Sequence, residues 1–157
     1  MQVQVLFSRL RRGNMNDLFV TFKTGNATLG VYRKGNKVWK HFRTQSKFER
    51  ELSAYAHLTD CPFVPKILEI VPERKFIVFP YVGESLNLKY RPKDRHVFKP
   101  QIRRMNEILY TDYGVHHNDI RWKNVVENDD GYLFLIDFEM WTPLTVGSKE
   151  RDPERIL

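Results

Sequence analysis

Hydrophobic and polar positions follow one rule through the first forty residues and a different one afterwards. QVQVLF, LFVTFK, ATLGVYR and KVWKHF alternate or cluster β-branched and aromatic residues. That composition suits a pleated, half-buried surface and predicts strands. Gly13, Gly25, Gly30 and Gly35 punctuate them, and Lys34, Gly35 and Asn36 have the makings of a tight hairpin connection. An antiparallel sheet is the expected result. At Ser46 the period changes: Ser46 and Glu49 have the spacing of a capping box, and Phe48, Leu52 and Tyr55 recur at helical intervals, predicting a helix that ends near Leu58.

Pro62 and Pro65 break the chain beyond that helix. KILEIV and KFIVFPYV then read as two more strands joined by a turn at residues 72–74, with Gly83 closing the strand series. Residues 87–100 are polar, rich in lysine and arginine, and carry two prolines, so they predict a connection between two halves that includes a short helix. Ile102, Met105, Ile108, Leu109 and Tyr113 line one face of a second long helix, and Gly114 stands where a left-handed C-terminal cap belongs. VV at Val125 and LFLI at Leu133 flank Asp129, Asp130 and Gly131, a hairpin signal. No internal repeat is visible.

Composition narrows the class. A length of 157 residues suits one domain, and 41% hydrophobic with 13% aromatic residues is enough apolar material for a core. A single cysteine, Cys61, excludes an intramolecular disulfide and points to a reducing, cytoplasmic setting. The most apolar stretch, FIVFPYV, is far shorter than the ~20 residues of a membrane span, and the N-terminus lacks the charge order of a secretory signal, so no membrane partner is expected. The net charge of +7 is uneven: residues 1–50 hold 11 basic and 2 acidic side chains, residues 51–157 hold 15 and 17. An anionic partner for the first third, or simply a solvated basic face, accounts for that. The sequence carries no zinc, helix-turn-helix or RNA-recognition signature that would favour nucleic acid, and no signal for an oligomeric state.

The chemistry concentrates in HHNDIRWKNVVENDDGYLFLIDFE, residues 116–139. Asp119, Asn124 and Asp137 stand five and then thirteen residues apart, the last at the end of a hairpin strand that folds it back beside the other two. A loop acid, a loop amide and a strand-end carboxylate form an oxygen-ligand set suited to Mg²⁺, and phosphoryl transfer is the reaction class such a set serves. His116 and His117 are adjacent on an extended loop and point apart, so His117 reads as structural and not as half of a metal pair.

This segment resembles the protein-kinase-like superfamily, whose catalytic loop HRDxxxxN appears here as HNDIRWKN and whose metal motif DFG appears as DFE. GNATLGV, residues 25–31, is similar to the glycine-rich phosphate loop, with Ala27 in place of its middle glycine. Lys40 stands at the position of the strand lysine and Glu51 at that of its ion-pair glutamate. FIVFPYVGESL resembles the adenine hinge, Phe79 bordering the pocket and Val82 meeting the base. The likeness covers about residues 21–139. It implies an α+β two-lobed fold: an antiparallel N-lobe sheet plus one helix (about 1–82) and a truncated, mainly helical C-lobe (83–157), together one kinase-like domain. The residue pattern agrees with one part of this. Lys40 alternates with Trp39 and so faces the other way, and Glu51 shares a helix side with Phe48 and Tyr55 while Glu49 and Arg50 turn away. An inward carboxylate needs a partner, and Lys40 is the candidate.

The resemblance also implies cofactors, ATP and Mg²⁺, and roles. Lys40, held by Glu51, grips the α and β phosphates, while Gly25, Asn26, Ala27, Gly30 and Val31 cover them with backbone amides. Asn124 and Asp137 hold the metal. Asp119 orients the acceptor hydroxyl and takes its proton, and Arg121 contacts the transferred phosphoryl group in place of the usual lysine. The expected activity is that of a minimal serine/threonine kinase acting on protein. Three departures qualify it. Asn118 replaces the arginine that reads a phosphorylated activation loop, Glu139 replaces the glycine of DFG and adds a carboxylate near the metal, and only 18 residues follow Glu139, with no peptide-docking platform. HND and IDFE are also similar to choline and ethanolamine kinases, and aminoglycoside phosphotransferases share the HxDxxxxN loop, which leaves a small-molecule acceptor as one alternative, and a pseudokinase or nucleotide-binding interaction module as another.

Overall fold

The computed structural model describes residues 20–23 and 28–145. The QVQVLF strand, Gly13, the loop residues Gly25, Asn26 and Ala27, and the chain after Thr145 lie outside the described residues.

Five antiparallel strands form the first sheet: β1 (Val20–Lys23), β2 (Thr28–Lys34), β3 (Lys37–Phe42), β4 (Glu69–Val71) and β5 (Phe76–Pro80), in the order β1-β2-β3-β5-β4. Lys34 pairs with Lys37, so the β2–β3 turn is the two residues Gly35 and Asn36, with Gly35 at φ +57°. Val31, Lys40 and Ile77 lie opposite one another across β2, β3 and β5, and therefore share one face. β4 is three residues long, shorter than KILEIV suggested. Pro72–Arg74 form a 3₁₀ turn that Lys75 closes in the left-handed conformation.

Helix α1 (Gln45–His57) crosses the inner face. Its cap is Thr44, whose hydroxyl accepts from the Lys47 amide, and not Ser46; the capping-box reading put the start two residues late. Glu49 is engaged by Gln45 Nε2 at 2.9 Å instead. Thirteen residues make a marginal helix in water, so packing must hold it. Phe48, Ala54 and Tyr55 are buried with Phe42, Ile77 and Phe79, and each large side chain contributes on the order of 1.5–3 kcal/mol.

After Gly83 the chain builds differently. Strand β6 (Glu84–Ser85) follows at once, so Gly83 does not end the strands as expected. A one-turn helix α2 (Leu86–Lys89), a 3₁₀ segment (Pro92–Phe98) and the long helix α3 (Lys99–Tyr113) come next, and Gly114 caps α3 at φ +65°. β8 (Val125–Glu127) and β9 (Leu133–Leu135) form the expected hairpin and take β6 as a third strand. β7 (Val115–His116) pairs with β10 (Thr142–Pro143), a two-residue ladder no periodicity announces. The whole is mixed α+β with antiparallel pairing throughout the described residues. One apolar cluster runs from Phe42 and Phe48 in the first part to Leu109, Leu135 and Phe138 in the second. No helix among the described residues is long and apolar enough to cross a membrane.

Candidate functional site

Lys40 enters from the middle of β3, and Glu51 comes from the buried face of α1. Their ends meet at 2.6 Å, and the same ammonium group reaches Asp137, 97 residues further on, at 3.0 Å. All three side chains are buried. Arg50, expected to turn away, is exposed, yet its guanidinium donates to the Trp141 carbonyl at 2.9 Å, and the Trp141 indole donates back to the Arg50 carbonyl at 2.7 Å. The segment after Asp137 is thereby fastened to the helix that carries Glu51.

Asp137 lies two residues beyond β9 rather than at its end, with φ +66°. The ladder has already stopped: the Ile136 amide bonds the Asn124 carbonyl at 3.0 Å, and the left-handed turn at Asp137 then redirects the chain. A non-glycine residue in this conformation is uncommon and has to be held by its surroundings. His117 contributes to that hold. Its ring accepts from the Asp119 amide at Nδ1 (3.2 Å), so the other nitrogen, Nε2, carries the proton and donates to the Ile136 carbonyl at 3.0 Å. Burial keeps the imidazole's pKa below its ordinary value, which favours this neutral tautomer. His117 is structural, and it ties the Asp119 loop to the backbone beside Asp137.

The loop itself is a closed set of bonds. Asn124 Nδ2 donates to the Asp119 carbonyl at 2.8 Å and to its carboxylate at 3.0 Å, and Arg121 Nε reaches the other carboxylate oxygen at 2.6 Å. Asn118, at φ +64°, donates to the Met140 carbonyl at 3.1 Å and to Thr142 Oγ1 at 2.9 Å. Its side chain anchors the segment after the DFE motif, a role the sequence does not signal. Asn is among the few side chains that tolerate a left-handed backbone.

Glu139, in place of the glycine of the DFG motif, adds a third carboxylate. Carboxylate oxygens of Glu51, Asp137 and Glu139 lie within 4.8 Å of one another, and Glu51 Oε1 is buried with no hydrogen-bond partner. Three carboxylates face one lysine. Burial lowers an ammonium's pKa, but the charges of Asp137 and Glu51 more than reverse this and hold Lys40 above its ordinary value. Burial pushes Glu51 up to about 7 against the pull of Lys40, with the charges of Asp137 and Glu139 adding to the rise. The donor set is all hard oxygen, and one buried Glu51 oxygen in it has no hydrogen-bond partner, so the chemistry fits a divalent cation such as Mg²⁺. Asn124 has its amide nitrogen occupied by Asp119, which leaves Oδ1 as the atom it can offer.

The remaining expected residues are placed as follows. Val31 shares the Lys40 face by register. Gly30 sits under the Tyr32 ring, where a Cβ would come within 2.2 Å of the hydroxyl. Phe79 is buried against Tyr55 at 4.8 Å between sheet and helix. Val82 lines a cavity of about 290 Å³ with Tyr81, Gly83, Asn128, Asp129 and Phe134, and none of Lys40, Asp119 and Asp137 borders it.

No protein-family model matches the chain. Among curated proteins it is similar to a probable cyclin-dependent serine/threonine-protein kinase of Dictyostelium discoideum, 28% identical over 150 residues that take in 89% of this chain and 23% of that protein. The chain thus spans less than a quarter of the length of the relative it matches. This weak likeness hints at a kinase-like relationship.

Proposed function

We propose that the chain is an ATP- and Mg²⁺-dependent phosphotransferase of protein-kinase-like, two-lobed organisation that phosphorylates a hydroxyl on a protein. The observation that carries this reading is the Lys40 ammonium held between Glu51 and Asp137, next to a bonded Asp119–Asn124 loop. A buried lysine fixed by two carboxylates presents a cation of constant position and charge, which is what anionic phosphates require. The kinase-named relative supports the same reading.

In this reading Lys40 binds the α and β phosphates, and Glu51 keeps it aimed. Asp137 and Asn124 would hold Mg²⁺, which would supply charge neutralisation on the phosphates. Asp119 orients the acceptor hydroxyl. Its oxygen forms the new P–O bond as the β–γ bridge bond breaks, its proton passes to the Asp119 carboxylate, and ADP leaves. Arg121, paired with Asp119 at 2.6 Å, would supply the cation that meets the transferred group. Positioning does most of the work.

Radiolabelled ATP with Mg²⁺ and protein acceptors tests the reading. Wild type should incorporate label, and Asp119→Asn should lower the rate roughly 10²- to 10⁴-fold while keeping the nucleotide-induced rise in melting temperature. Asp137→Ala should abolish the Mg²⁺ dependence of that rise. A wild-type chain whose melting temperature ignores ATP and Mg²⁺ overturns the proposal, and label appearing on an amino alcohol instead of protein reassigns the acceptor.

A further inference from the structure

The basic excess of the first third is the obvious charge feature, but folding exposes a second one. Residues 87–104 hold seven basic and one acidic side chain, whereas the rest of the chain after residue 50 holds 8 basic and 16 acidic. The run occupies α2, the 3₁₀ segment Pro92–Phe98 and the start of α3. Lys93, His96, Arg103 and Arg104 are exposed along it. Arg95 is folded back onto the Tyr90 and Asn87 carbonyls at 2.9 Å each, which braces the bend, while Arg91 pairs with Asp94 at 2.9 Å and Arg104 with Glu107 at 2.7 Å, both at the surface. Two large apolar side chains stand among them, Leu88 at 64% and Val97 at 76% exposure. At its near end, α2 packs on Trp122–Asn124, the turn that continues the Asp119 loop, and Lys89 pairs with Glu127 at 2.7 Å.

We propose that this run docks an acidic protein segment and delivers its hydroxyl to the Asp119 loop, so that the acceptor is an acid-flanked serine or threonine. The inference rests on the phosphotransferase reading and names its substrate class. Seven cations confined to 18 residues of an otherwise acidic region concentrate positive potential where it steers an anionic chain toward the site. Leu88 and Val97 offer apolar anchors for side chains of a peptide, which a phosphate backbone does not have. The cations are spread over a bent 3₁₀ segment and two helix ends and not along one face of a continuous amphipathic helix, the geometry a membrane surface selects.

The test is fluorescence anisotropy, without nucleotide, of a labelled peptide bearing one serine flanked by glutamates and a leucine, against its lysine-substituted counterpart. The variant is the double charge reversal Lys93→Glu with Lys99→Glu. Both positions lie at or before the start of α3, where negative charge suits the helix dipole, and circular dichroism melting verifies the fold. Wild type should bind the acidic peptide in a salt-sensitive way, the double variant about tenfold or more weakly, and the nucleotide-induced melting shift should be the same in both. Equal binding of acidic and basic peptides, or an unaltered affinity in the double variant, overturns the proposal. So does displacement of the peptide by phosphatidylserine vesicles or a DNA oligonucleotide at lower charge concentration, which would assign the run to those partners. A chain that shifts with ATP yet ignores the peptide sinks only this inference; one that binds the peptide but neither nucleotide nor label sinks the phosphotransferase reading.

Discussion

The two parts of the molecule on either side of Gly83 are held by different forces. The sheet before it is a set of backbone ladders: strands up to seven residues long, joined largely by short connections, with α1 seated on its inner face by apolar packing. Beyond Gly83 no strand exceeds three residues among those described, and ladders that short cannot fix a chain. There the backbone is pinned by polar side chains instead: His117 to Ile136, Asn118 to Met140 and Thr142, Asn124 to Asp119, Trp141 to Arg50. The first part is therefore tolerant where the second is not. A site that must hold Asn118 and Asp137 in the left-handed conformation is built in the part that relies on side-chain bonds.

The junction is the place to break the contrast. Gly83 has φ +147°, and a Cβ there would lie 2.0 Å from the Glu127 carbonyl oxygen. Gly83→Ala should cost about 3 kcal/mol or more from steric overlap and backbone strain together, seen as a large drop in the chemical denaturation midpoint. Asn118 comes next. Asn118→Ala loses two hydrogen bonds and puts alanine at φ +64°, for about 2–3 kcal/mol. Asn118→Gly keeps the backbone conformation, so it should recover roughly 1 kcal/mol of that; equal losses in the two variants would mean that the bonds to Met140 and Thr142 carry everything.

Acid should find the same region. Because burial holds His117 below its ordinary pKa, the unfolded chain binds the proton first, and stability falls as pH drops through 6.5. The slope approaches about 1.4 kcal/mol per pH unit per proton. Glu51, held up at about 7, acts in the opposite sense: its contribution is full below the ordinary carboxylate range and fades as pH rises through 7. The informative quantity is the difference between wild type and His117→Gln, which should shrink as pH falls below 6.5; a constant difference would contradict a buried neutral imidazole. The smallest effect belongs to the first part. Thr44→Ala should cost about 1 kcal/mol and Ser46→Ala nearly nothing, and the reverse order would restore the cap the spacing first suggested.

Much of this was legible before folding because it depends on neighbours in sequence. The β2–β3 turn follows from Lys34, Gly35 and Asn36, the end of α3 from Gly114, and the β8–β9 hairpin from Asp129, Asp130 and Gly131. The inward turn of Lys40 and Glu51 follows from periods of two and 3.6. The misread features are those where local signals compete. Thr44 and Ser46 are both good caps two residues apart, and β6, β7 and β10 are too short for any period to register.

What the residues determined by themselves was the alternation that makes a sheet, the helix that buries a carboxylate against it, and the candidate set Lys40, Glu51, Asp119, Asn124 and Asp137. What only tertiary structure decided was the convergence: Lys40 reaching Asp137 across 97 residues, Asn118 and His117 serving as ties, and α2 packing on the turn that continues the Asp119 loop. Local signals act through backbone sterics and the side-chain period, which decay within a turn or a strand. Convergence is set by which buried charges and polar groups find partners once water is excluded, and that depends on the whole chain at once.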